Sequence, residues 1–130
     1  MRWYLDASVA LHAILPGGDA RARRWLDATL AEGGEVFSST LQHLELTRVL
    51  RRENLSPSLA RPLLERVHQV SIDDGILRFA AAIESHVKSL DAIHLATCSL
   101  LGGGVTVATH DSGMATAAVS LGLDVFDPVV

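Results

Sequence analysis

Short β-type runs alternate with amphipathic stretches along the chain, and this alternation restricts the fold more than any other feature. Arg2-Trp-Tyr-Leu5 is one such run, and Ser8-Val-Ala-Leu-His-Ala-Ile-Leu15 then reads as a helix stopped by Pro16-Gly-Gly18. Asp19 caps a second predicted helix through about Leu30, with Gly33 and Gly34 ending it. Residues 35–38 form a second strand, and a third helix runs from Ser39 or Thr40 to about Glu53 with Leu46, Val49 and Leu50 on one face. Ser56-Pro57 opens a fourth helix to about His68, which Pro62 kinks or delays. A very short strand is expected at 70–72, and Asp73-Asp74 cap a helix to about Ser85. A sixth helix starts near Ser89 and ends at Gly102-Gly-Gly104. A buried strand at 105–108, a seventh helix from Asp111 to about Leu121 and a strand at 123–126 complete the pattern.

Strands alternating with helices imply an α/β fold: a mostly parallel central sheet of about five strands with helices on both faces. In such sheets ligands bind outside the carboxyl ends of the strands. The 130 residues fit one domain, 1–130, large enough to bury roughly two thirds of its unfolded surface. An apolar content of 48% with 20% charged residues excludes disorder. The single cysteine, Cys98, has no partner for an internal disulfide and lies in an apolar helical run, where it reads as a small buried hydrophobe. Charges or glycines interrupt every apolar stretch well before the roughly 20 residues of a membrane span, and Asp6 breaks a signal-peptide reading, so a cytoplasmic location is expected.

The formal charge is −4, unevenly spread. Residues 1–70 hold nine arginines against eight acids, and residues 71–130 hold Arg78 and Lys88 against seven acids. The halves are therefore +1 and −5, and setting aside four acids as metal ligands leaves eleven basic and eleven acidic residues. Net charge does not exclude RNA.

Those four acids are Asp6, Glu45, Asp91 and Asp111. Asp6 and Asp111 follow strands and can emerge at one edge of the sheet, Asp91 stands in a first helical turn, and Glu45 borders an apolar helical stripe. Helix capping, the helix dipole and a surface salt bridge are the local alternatives for these side chains. Carboxylates about 4 Å apart repel by roughly 4 kcal/mol per pair at an effective dielectric near 20, so a converging set needs a cation or protons. Oxygen ligands without cysteine point to Mg²⁺ or Mn²⁺ and to a phosphodiester-cleaving site. Ser8 and Thr109, each two positions from an acid, have hydroxyls that can orient a water or simply form turns. Arg48 and Arg52 follow Glu45 on nearly the same helical face and offer cations to RNA phosphates or to carboxylates of a partner; pairing with Glu45 or Glu53 is the plain alternative.

His43, His94 and His110 lie close in sequence to the acids but are set aside as ligands. His110-Asp111 matches the dipeptide of HD phosphohydrolases, yet it follows a β-type run and lacks their spaced partner histidines. A haloacid-dehalogenase-like reading fails because Ser8 stands where a second aspartate is required.

Four segments carry a resemblance. Tyr4-Leu-Asp-Ala-Ser8, Glu45-Leu46, Ser89-Leu-Asp-Ala-Ile-His-Leu-Ala96 and Thr109-His-Asp111, in this order and spacing, resemble the PIN-domain family, in particular the VapC toxins of toxin–antitoxin pairs. The resemblance covers essentially the whole chain and implies ligand roles for Asp6, Glu45, Asp91 and Asp111, with Thr109 and Ser8 supporting. It further implies a Mg²⁺- or Mn²⁺-dependent ribonuclease, usually a homodimer, held inactive by a VapB-type antitoxin whose tail covers the pocket. His110 falls at a position that varies in such proteins. A catalytically silent RNA- or protein-binding module and a related metal-dependent DNA nuclease are the alternatives; the intact acids speak against the first, and the short chain without an added clamp against the second.

Overall fold

The computed structural model describes all residues, 1–130. Five strands, β1 (Arg2–Leu5), β2 (Glu35–Ser39), β3 (His68–Val70), β4 (Val105–Ala108) and β5 (Asp124–Phe126), form one sheet in the order β3-β2-β1-β4-β5. Every neighbouring pair is parallel, so the expected mostly parallel sheet is wholly so. Seven helices connect the strands: α1 (Ala7–Ile14), α2 (Ala20–Ala31), α3 (Leu41–Arg52), α4 (Arg61–Leu64), α5 (Asp74–Ala82), α6 (Ser89–Leu100) and α7 (Ser112–Ser120).

Alternation along β1 divides the core between the two faces of the sheet. Leu5 joins a cluster with Val9, Leu26, Leu46 and Leu50 from the first three helices, whereas its neighbour Tyr4 joins Leu95, Cys98 and Met114 from α6 and α7. Cys98 is fully buried, and burial pushes its thiol up to about 12, which suits the predicted inert hydrophobe. Asp19 caps α2 by accepting from the Arg21 amide at 2.9 Å, and Gly33, at φ 85°, takes the left-handed conformation just past its end.

The segment after α3 departs from expectation. The fourth helix does not continue to His68: a 3₁₀ turn at Pro57–Ala60 runs into the single helical turn of α4. Pro62 falls in the first turn of α4, where its missing amide costs nothing, but the same ring prevents the preceding turn from joining as continuous α-helix. The strand expected at 70–72 lies two residues earlier because its register is set by β2, with Phe37, Ser38 and Ser39 opposite His68, Gln69 and Val70. Helix α5 stops at Ala82, short of Ser85. No helix is long and apolar enough to cross a membrane.

Candidate active site

Strand order fixes where a site can form. From β1 the chain steps outward through β2 to β3, then crosses back to β4 and steps the other way to β5, so the crossovers reverse between β1 and β4. A crevice opens at such a switch point beyond the carboxyl ends of the strands. Asp6 follows β1 and Thr109 follows β4 at this place, and the Asp6 amide donates to the Ala108 carbonyl at 3.0 Å.

Asp6 is 5% exposed. It occupies the N-cap position of α1, yet its carboxylate makes no capping bond. Instead Oδ2 accepts from the Ser8 hydroxyl at 2.6 Å and from the Thr109 hydroxyl at 2.9 Å. Thr109 Oγ1 in turn accepts from the Asp111 amide at 3.1 Å, and Ser8 Oγ from the His110 amide at 2.9 Å. The two hydroxyls thus tie the ends of β1 and β4 together and orient a carboxylate. Asp111 does fill its local role, with Oδ1 accepting from Gly113 and Met114 amides at the start of α7.

Glu45 is carried on α3, which is pinned to the end of β1: Gln42 Nε2 donates to the Leu5 carbonyl at 2.8 Å, and Ser38 Oγ donates to the same oxygen at 3.3 Å. Three residues after Gln42 is nearly one helical turn, so Glu45 projects on the same side as that anchor, next to Asp6 in the chain path. Asp91 stands in the first turn of α6. Its carboxyl is held above the ordinary carboxylate value, first by burial, then by the charges of Asp6 and Asp111 and to a lesser degree of Glu45, with His94 acting in the opposite sense. All four predicted acids therefore share one electrostatic neighbourhood. No three His, Cys, Asp or Glu side chains are drawn tightly enough together to pre-form a metal cage. As a donor set, four carboxylates without a thiol, with like charges pressing on the partly buried Asp91, fit a hard divalent cation.

Sequence reasoning set His94 aside, and the structure puts it beside Glu45. His94 is 1% exposed, its Nε2 lies 2.5 Å from Glu45 Oε1, and its Nδ1 lies 2.6 Å from the Tyr4 hydroxyl. His110 Nδ1 lies 2.7 Å from Asp127 Oδ2, and His43 is exposed. Arg48 and Arg52 are exposed on α3; Arg52 approaches Glu53 at 3.7 Å, so the plain pairing holds for one of them, while Glu45 pairs with neither. A cavity of about 450 Å³ between the end of α5 and α7 is lined by Phe79, Ile83 and Leu121 with Glu84 as its one acid, and offers no comparable chemistry.

Residues 3–119 match the family model described as PIN domain. The chain belongs to the PIN-domain family. Among curated PIN relatives, ribonuclease VapC46 of Mycobacterium tuberculosis (strain ATCC 25618 / H37Rv) is 34% identical over 130 residues, covering 96% of each chain. Ribonuclease VapC35 of the same strain is 35% identical over 134 residues, again covering 96% of each. Solved structures share the PIN fold at lower identity. VapBC2 from Rickettsia felis bound to promoter DNA superposes with a TM-score of 0.74 at 12% identity over 98% of each chain. FitAcB from Neisseria gonorrhoeae gives 0.69 at 24% identity over 97% of each.

Proposed function

We propose that this PIN domain is a Mg²⁺- or Mn²⁺-dependent endoribonuclease, the toxin of a VapBC-type pair, acting in the cytoplasm as a homodimer restrained by a VapB-type antitoxin. The observation that carries the chemistry is Asp91, whose carboxyl is raised by burial and by the charges of Asp6, Asp111 and Glu45 at the switch point of the sheet. Relatives named ribonucleases, and toxin–antitoxin complexes among the proteins of the same fold, support the substrate class and the partner.

In this reading Asp6, Glu45, Asp91 and Asp111 hold the cation. A cation held by these residues would supply a water of lowered pKa and charge neutralisation at the leaving oxygen. Thr109 and Ser8 fix Asp6 by donating to Oδ2, leaving its other oxygen for the pocket. The Asp111 Oδ1 stays on the α7 amides, so Oδ2 is the oxygen it has to offer.

The test is cleavage of a structured RNA mixture in Mg²⁺ or Mn²⁺. Wild type is expected to cut and to stop on chelation, while Asp91→Asn and Asp6→Asn lose cleavage but remain folded in thermal melts. A variant that cleaves like wild type removes its residue from the site.

A further inference from the structure

One chain of hydrogen bonds joins β1, which Asp6 directly follows, to the helices that carry Asp91 and Glu45. Glu45 Oε1 lies 2.5 Å from His94 Nε2 on α6, and His94 Nδ1 lies 2.6 Å from the hydroxyl of Tyr4 on β1. Tyr4 and His94 are each 1% exposed, and Glu45 keeps 18% side-chain exposure. A carboxylate has only lone pairs to offer, so Nε2 carries the hydrogen that faces it. When the ring is neutral its Nδ1 is bare, and the tyrosine hydroxyl then donates to it. In that tautomer both bonds run in one direction, from Tyr4 through His94 to Glu45. His94 also sits three residues after Asp91 on the same helix, and Tyr4 two residues before Asp6 on the same chain path.

We propose that Tyr4 and His94 are positioning residues that hold Glu45 in the orientation from which it binds the divalent cation. The proposal rests on the metal-site reading above. An imidazole that fixes a ligating carboxylate sets both its rotamer and its basicity, and losing such a partner typically weakens metal affinity about ten- to hundredfold. A Glu45 freed from His94 has several rotamers to choose from, and only some face Asp91. A purely structural His–Tyr pair would instead lower stability and leave metal affinity unchanged.

The experiment is titration of Mn²⁺ alone into the full chain by calorimetry, with urea unfolding run in parallel on every variant. His94→Ala is expected to raise the Mn²⁺ Kd about ten- to hundredfold. His94→Gln, whose amide N–H reaches the place of the Nε2 hydrogen, is expected to recover most of that loss. Tyr4→Phe removes one hydroxyl and is expected to weaken Mn²⁺ several-fold. If His94→Ala does not fold, His94→Gln and Tyr4→Phe decide the matter. Variants that lose stability yet bind Mn²⁺ within about twofold of wild type overturn the proposal alone. Absence of Mn²⁺ binding by wild type itself overturns the metal-site reading and this proposal with it.

Discussion

Asp6 stands at the start of α1 and leaves the helix amides uncapped, while two hydroxyls are spent on its Oδ2. A residue needed only as a cap would have its carboxylate on those amides. Asp91 carries the clearest electrostatic signature of the crevice, its carboxyl raised first by burial and then by the charges of Asp6 and Asp111. Its folded-state pKa is raised above 3.8, so between that value and the folded one the native protein holds more protons at Asp91 than the unfolded chain does. Stability contributed through Asp91 is therefore present below 3.8 and falls as pH rises through that window, then stays level above it. In chelator-containing buffer the stability of Asp91→Asn relative to wild type is expected to grow across the window, as measured by urea unfolding at a series of pH values. A difference that shrinks with rising pH contradicts a raised Asp91 carboxyl. The four acids were legible in the sequence because each stands at a strand end, in a first helical turn or against an apolar stripe. His94 was not, since its partners Glu45 and Tyr4 lie 49 and 90 residues away in sequence.

Helix α3 links packing to the proposed site. Leu46 and Leu50 are fully buried in the core of one sheet face, Gln42 grips the end of β1, and the exposed side carries arginines. An ion pair such as Arg52–Glu53, with both side chains more than half exposed at 72% and 55%, stabilises by about 0–1 kcal/mol and leaves the guanidinium free to exchange partners. Replacing Arg48 and Arg52 together with alanine is expected to weaken RNA binding in Ca²⁺ and to flatten the salt dependence by roughly one to two charge equivalents. An unchanged affinity and slope place the RNA path elsewhere. Elements with strong periodicity, such as α2, α3 and β4, were predicted within a residue or two. The region from Pro57 to Val70 was not, because a three-residue strand has almost no pattern of its own and exists through pairing with β2.

Over the whole molecule, the wholly parallel sheet reverses its direction of winding between β1 and β4, and that reversal brings residues 6 and 111 to one crevice. Helices α3 and α6 then deliver Glu45 and Asp91 from outside the sheet, so the site exists only in the complete fold. Folding this chain thus sets four negative groups around one opening, and a cation that binds there favours the folded state by mass action. At a concentration a hundred times Kd the gain is about 2.7 kcal/mol, on the order of 10 °C in Tm for a chain this size. Asp111→Asn is the sharpest control, because asparagine keeps the cap of α7 and removes only the charge. The most direct measurement is the Tm of wild type and Asp111→Asn with Mg²⁺ or Mn²⁺ titrated from zero to millimolar concentrations. The predicted result is a saturating rise in the wild type that is blunted in Asp111→Asn; a wild-type Tm indifferent to both cations would contradict a metal site at these four acids.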